Sequence, residues 1–288
     1  SSARFPTWSP AGSEIAYVTI EQGQTSIWRM ALSGGQPVML AGSASENYAP
    51  SWSPDGQRIA FQSNLDSANS EIWVMDRDGG NLRRVTDTPA GYWSRAPSFS
   101  PDGSRMALTL SRTGNPEIYV MDLASKSLTQ VTRHWGIDTE PTWRDANTLY
   151  FTSDRAGKPQ IYEVSATGGD AKRVTFLGDY NARATACCDG KKLAMAQGQG
   201  NVYRIAVLDR SMGGPGQQNL VSTGNLDESP SFAPNGSMLL YAAREGRRGV
   251  LFAVSADARV RQRLVIADGD VREPAWSPYR QRRTDVQR

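Results

Sequence analysis

Apolar positions along the chain fall in short runs that alternate with polar ones or gather β-branched and aromatic residues, and turn residues separate the runs; this is the period of strands, not of helices. In one stretch the runs are Arg58-Ile59-Ala60-Phe61-Gln62-Ser63, Glu71-Ile72-Trp73-Val74-Met75-Asp76 and Leu82-Arg83-Arg84-Val85-Thr86. Comparable middle runs lie at residues 117–122, 160–164, 203–209 and 250–254. Between the middle and last runs stand Gly34-Gly35, Asp78-Gly79-Gly80 and Gly168-Gly169, which supply the positive φ angles that tight hairpins need.

A second pattern sets the scale. A phrase of aromatic, Ser or Ala, Pro, Asp or Asn, Gly recurs as Trp8-Ser9-Pro10-Ala11-Gly12, Trp52-Ser53-Pro54-Asp55-Gly56, Phe99-Ser100-Pro101-Asp102-Gly103 and Phe232-Ala233-Pro234-Asn235-Gly236. Degenerate copies are Trp143-Arg144-Asp145-Ala146-Asn147 and Ala186-Cys187-Cys188-Asp189-Gly190, and a last one, Trp276-Ser277-Pro278, breaks off at Tyr279. First residues at 8, 52, 99, 143, 186, 232 and 276 give gaps of 44, 47, 44, 43, 46 and 44. One unit is therefore repeated six times, and adding the Trp-Ser-Pro segment to the three runs gives it four strands. Four antiparallel strands every 40 to 50 residues or so predict an all-β, six-bladed β-propeller in which each blade buries its faces against its neighbours. The expected organisation is a single propeller over residues 1–279 and a basic tail over 280–288. Each repeat's aromatic is expected in the core between blades, with the Asp of Asp-Gly bonding backbone amides two residues on.

An open ring would leave two strand edges unpaired. The C-terminal Glu273-Pro274-Ala275-Trp276-Ser277-Pro278 reads as a first strand with nothing after it, so it is expected to join the blade made by residues 14–40 and lock the ring. Residues 5–10 would compete for the same slot. A seven-bladed ring would need about 30 more residues.

Composition narrows the chemistry. Among 288 residues there is one histidine, His134, through which any Ser-His-Asp triad, Cys-His pair or multi-histidine metal site would have to run. It precedes Trp135 in an expected blade-connecting loop and reads as a loop-packing residue. No Gly-x-Ser-x-Gly elbow is present for a hydrolase. The two cysteines, Cys187 and Cys188, are adjacent and give no disulfide framework; both read as packing residues. A net charge of +3 with scattered Lys and Arg excludes the basic stripe of nucleic-acid binding, and no run approaches the roughly 18 apolar residues of a membrane span. The start, Ser1-Ser2-Ala3-Arg4, carries no hydrophobic signal segment, as expected of a mature or truncated form, or of a chain that stays in the cytoplasm.

Repeats of the form x-Pro-x-Trp-Ser-Pro-Asp-Gly, then Ile-Ala-Phe, then Glu-Ile-Tyr-Val-Met-Asp resemble the TolB-type propeller repeat. The likeness is carried furthest by Leu110-Ser111-Arg112-Thr113-Gly114-Asn115-Pro116-Glu117-Ile118-Tyr119-Val120-Met121-Asp122-Leu123, by Asp138-Thr139-Glu140-Pro141-Thr142-Trp143, and by residues 151–162, 226–236 and 274–279. Residues 1–98 show the generic repeat with fewer family phrases, and the smaller α/β domain that precedes the propeller in the family is absent here. The resemblance implies a non-enzymatic, periplasmic protein-binding scaffold of the Tol-Pal system that needs no cofactor and holds no metal. It implies binding of the peptidoglycan-associated lipoprotein Pal on one face, support of outer-membrane integrity, and peripheral association with the outer membrane through Pal. TolA and colicin segments are further implied partners, and a monomer the expected state. The alternatives are an engineered or recombined propeller without a native partner, and the propeller module of a peptidase-type enzyme lacking its catalytic domain.

Loops entering each repeat connect the outer strand of one blade to the inner strand of the next, so six of them converge on one mouth of the channel. They contribute Tyr48, Trp93, Arg95, Asp138, Thr139, Glu140, Tyr180, Arg183, Asp227, Glu228, Arg272 and Glu273, a set of aromatics, arginines and carboxylates suited to docking a protein or peptide. Glu140, Glu228 and Glu273 also read as caps on neighbouring loops. In the family loop matching residues 92–97 a histidine often contributes to Pal contact, and here Trp93 stands at that position, whereas Thr139 matches.

Overall fold

The computed structural model describes residues 2–42, 45–265 and 270–278. It is all-β: six four-stranded antiparallel sheets, each a meander, arranged as a six-bladed propeller. Blades 1 to 6 span residues 2–41, 47–84, 94–130, 138–173, 180–220 and 228–264. The inner strands are Ser2–Trp8, Asn47–Trp52, Ser94–Phe99, Asp138–Trp143, Tyr180–Cys187 and Glu228–Phe232. Outer strands are short and basic where they are most exposed, as at Arg83–Arg84 and Lys172–Arg173, which discourages edge pairing with other chains.

Middle strands such as Glu71–Asp76 and Glu117–Asp122 are buried almost throughout because a neighbouring sheet covers each face. Their near-continuous apolar runs follow from that double burial. The repeat aromatics Trp52, Phe99, Trp143 and Phe232 are each at most 9% exposed and lie in clusters joining successive blades. The Asp-Gly turns behave as the sequence predicts: Asp55, Asp102 and Asn235 accept from the amides of Gln57, Ser104 and Ser237 at 3.0, 3.1 and 3.0 Å. The preceding serine adds a second tie, its hydroxyl donating to the Asp at 2.5 Å in both Ser53 and Ser100. Hydrogen bonds of that kind, led by the one from Ser100, hold the Asp102 carboxyl down at about 2.

Every inner strand breaks register once, and the residue at the break has a positive φ: Phe5, Ala49, Ala96, Glu140, Arg183 and Ser229, between 52° and 56°. In five of the six the next residue is proline, which has no N–H to lose from the ladder, so a bulge there leaves no donor unpaired. The bulge bends the strand and turns one side chain toward the channel.

Closure differs from the expectation. The inner position of blade 1 is taken by Ser2–Trp8, paired with Glu14–Glu21, and not by the C-terminal segment. A five-residue connection makes that hairpin local, and a short loop closes at lower entropic cost than pairing across the chain. Residues 273–278 are displaced sideways into the gap between blades 6 and 1. There the Trp276 amide donates to Ser231 Oγ at 2.9 Å, and the Trp8 indole donates to the Ala275 carbonyl at 3.0 Å. The latter copies the indole-to-carbonyl links from Trp52 to Thr7 and from Trp143 to Ser98, so Ala275-Trp276 occupies the place of an extra inner strand without a blade behind it. Glu273 even shares the bulge conformation, at φ 52°. The basic tail over 280–288 lies outside the described residues.

Candidate functional site at the channel mouth

The bulges build the site. Pro6, Pro50, Pro97, Pro141, Pro230 and Pro274 wall a cavity of about 780 Å³, and the bulge residues Phe5, Glu140, Arg183 and Glu273 stand above them. Three arginines, Arg4, Arg183 and Arg272, and three glutamates, Glu140, Glu228 and Glu273, give the wall no net charge. Such a surface discriminates by the pattern of charge and not by its sign.

Two of the glutamates stitch adjacent inner strands together. Glu140 Oε2 accepts from the Arg183 amide at 3.1 Å and from Thr152 Oγ1 at 3.0 Å, while its Oε1 faces Arg183 Nε at 3.5 Å. Glu273 repeats the arrangement across the closure: it accepts from the Phe5 amide at 2.9 Å and from Arg4 at 2.8 and 3.1 Å. The hydrogen bond to Glu273 raises the Arg4 guanidinium above its ordinary value. Glu228 has no ion pair among the described residues, so its charge is open to a partner.

The remaining sequence candidates divide into surface and support. Asp138 is fully buried and bound to Arg155 at 2.7 Å; Asp227, 1% exposed, takes the Ser222 hydroxyl at 2.5 Å and the Gly224 amide at 2.9 Å, and burial pushes its carboxyl up. Both sit beneath the mouth and hold its loops. Thr139 is half-buried in the same strand as Asp138. Tyr48 meets Phe5 edge-on, 6.1 Å between ring centroids, and Arg95 lies over the Trp93 ring at 4.6 Å. Tyr180 packs edge-on against Tyr203 at 5.4 Å, its hydroxyl raised by burial first and by the charge of Glu140 second. Those two tyrosines form one wall of a side groove of about 290 Å³ lined also by Arg183, Leu226, Glu228, Arg244 and Arg272. Arg272 is tied to Asp270 at 2.9 Å.

Sequence reasoning missed an apolar rim on the connecting loops: Trp135 is 74% exposed, Phe176 63%, Leu177 55% and Ile137 48%. Each lies within a few residues of an inner strand, and only its position next to the candidates could have signalled a surface role. His134 accepts from the Gly136 amide at 3.0 Å and stacks on Trp135, in keeping with loop packing. Among the described residues no three His, Cys, Asp or Glu side chains are grouped to hold a metal ion, and no helix is long and apolar enough to cross a membrane.

Six four-stranded blades around a charge-balanced, proline-walled mouth define a repeat propeller built to present loops. The model of the TolB beta propeller domain matches residues 3–92 and 90–280, and the chain belongs to that family. It is 60% identical over 271 residues to the Tol-Pal system protein TolB of Xanthomonas campestris pv. campestris strain B100, and equally to that of Xanthomonas oryzae pv. oryzae strain PXO99A. Each match covers 92% of this chain and 61% of the relative, so the chain spans about three fifths of the length of those proteins. Among solved structures it superposes on TolB from Acinetobacter baumannii with a TM-score of 0.74 and 40% identity, covering 93% of this chain and 67% of that one. An oligogalacturonate lyase in complex with manganese matches with a TM-score of 0.72 at 12% identity, over 89% of this chain and 74% of that one, a likeness of fold alone.

Proposed function

We propose that this chain is the propeller of a periplasmic, non-enzymatic Tol-Pal component that docks the lipoprotein Pal at the channel mouth and, through it, associates peripherally with the outer membrane and supports its integrity. The observation that carries the reading is the mouth itself: inner strands and residues 272–273 present arginines and glutamates over a proline wall, Glu228 has no ion pair among the described residues, and exposed apolar residues stand on the loops leading into blades 4 and 5. Such a surface offers anchors and charge complementarity to a folded partner. TolA and colicin segments are candidates for the same face on the family likeness. The non-enzymatic part of the reading rests on the family likeness; the lyase and peptidase likenesses, at 12 and 16% identity, are likenesses of fold alone.

Calorimetry with purified Pal tests the reading. Glu228→Lys, which breaks no internal bond, should weaken binding by about 1 kcal/mol or more, and charge reversal at Arg183 should do the same. Unchanged affinity in both variants, with folding intact, would remove the mouth as the interface.

A further inference from the structure

At the end of the inner strands remote from the mouth, the turn of blade 5 departs from those of blades 2 and 3. Where blades 2 and 3 have Ser53-Pro54 and Ser100-Pro101, blade 5 has Cys187-Cys188, the only cysteines in the chain. The substitution removes both devices that stabilise the turn in blades 2 and 3, the serine hydroxyl that caps the Asp and the proline that presets φ. Cys188 and Asp189 are left in the left-handed region at 57° and 55°, a conformation that costs non-glycine residues about 1 kcal/mol or more each. In exchange, the two sulfurs are brought face to face at 2.8 Å.

We propose that Cys187 and Cys188 form a reversible vicinal disulfide, a redox modification site on the face opposite the mouth. The sulfurs are half-buried yet line a cavity of about 370 Å³ with Trp143, Arg144 and Asp145, so a small disulfide reaches them from solvent. Burial pushes the Cys187 thiol up, and in the exchange the other sulfur of the pair attacks first. Cys188 as thiolate attacks one sulfur of an external disulfide and expels the first thiolate. The thiolate expelled first takes the Cys187 proton, and Cys187 Sγ attacks Cys188 Sγ, expelling the second thiolate, which takes a proton from solvent. Two electrons and two protons leave the pair, and the external disulfide becomes two thiols. Adjacent Cα atoms stand about 3.8 Å apart, below the usual range for a disulfide, which places the bond among the readily reduced ones.

Blade 6 would report the change. Gly236 lies directly over the pair, where a Cβ would overlap Cys188 Sγ, and its carbonyl accepts from Lys192 Nζ at 3.3 Å. A bulky mixed disulfide has little room beneath it, so ring closure between the two cysteines is the favoured outcome.

The test uses the whole chain, reduced and then equilibrated with oxidised glutathione under denaturant-free conditions. Intact mass should fall by two hydrogen atoms, both thiols should be lost to maleimide, and dithiothreitol should restore them. Cys187→Ser should retain a glutathione adduct on Cys188 instead. A stable glutathione adduct on the unsubstituted chain, a disulfide-linked dimer, or two thiols still open to maleimide would each overturn the proposal.

Discussion

The seam between blades 3 and 4 and the seam between blades 6 and 1 hold the same ring by different means. The first is sheet packed on sheet: Ala107, Ile118 and Val120 meet Trp143, Leu149, Phe151 and Tyr162 in one apolar cluster. Like clusters join blades 1 and 2, 2 and 3, 4 and 5, and 5 and 6, but none of those formed by the described residues joins 6 to 1. There a wedge of chain, residues 270–278, takes the place of sheet contact, tied by Arg4–Glu273 and by the Trp8 and Trp276 hydrogen bonds. Five seams rest on buried area, which is non-directional; the sixth rests on a few directional bonds at a half-exposed surface.

The largest expected effect is at a regular seam. Phe151→Ala should cost about 3–5 kcal/mol, read as a fall in the urea midpoint. Cutting the chain before Arg272 should cost less, about 1–3 kcal/mol from bonds left unmade, and should lower amide protection in Ser2–Trp8 and Glu228–Phe232 while sparing Arg105–Leu110. Equal loss of protection around the ring would mean that closure is as cooperative as the other seams. Glu273→Ala and Glu140→Ala remove matching bonds to an arginine and to a neighbouring bulge amide. A loss of about 1 kcal/mol is expected at Glu273 and a smaller one at Glu140, whose seam has an apolar cluster behind it.

The smallest effect is one of pH within the regular seams. Glu117, accepting from Thr132 and the His134 amide and facing buried Asp138, is raised mainly by its burial. Folding therefore favours its protonated form, and the stability this brings is present at low pH and lost as pH rises through the folded value. Glu117→Gln should flatten that slope, because the equivalent pair one blade on is already Gln160 with Asn181 at 2.9 Å. Glu163 should oppose it: burial raises it, but the hydrogen bonds and charges of Arg210 and Arg144 win and hold it below the usual range. Its contribution is present above the unfolded value and lost as pH falls through the folded one. Urea midpoints of Glu117→Gln and of Glu163→Gln across the acidic range separate the two contributions.

The architecture was legible because every unit carries the same aromatic, turn and strand signals, and three strands, two of them in blade 2 and one in blade 3, were readable almost to the residue, at Arg58–Ser63, Glu71–Asp76 and Glu117–Asp122. Closure was not, since Phe5-Pro6-Thr7-Trp8 and Glu273-Pro274-Ala275-Trp276 spell one inner strand twice and only three dimensions assign them. The mouth was legible in part. Glu140, Arg183 and Glu273 do face the channel, whereas Asp138 and Asp227, the polar residues at the foot of the same loops, turn inward to satisfy buried donors. The rim of Trp135, Ile137, Phe176 and Leu177 escaped notice because an apolar residue beside a strand reads as core until its exposure is measured.

The bulge before each proline separates shape from chemistry. Its backbone is set by the register break and the missing proline donor, so the side chain on it is left free, and the chain seats Phe, Ala, Ala, Glu and Ser there before Pro, Arg before Ala, and Glu again in the wedge. The mouth is in effect a row of positions on a fixed frame. Where the bulge residue is small and untied, as at Ala49, Ala96 and Ser229, it can change without renegotiating how the ring folds, whereas Glu140 and Glu273 are part of the frame themselves.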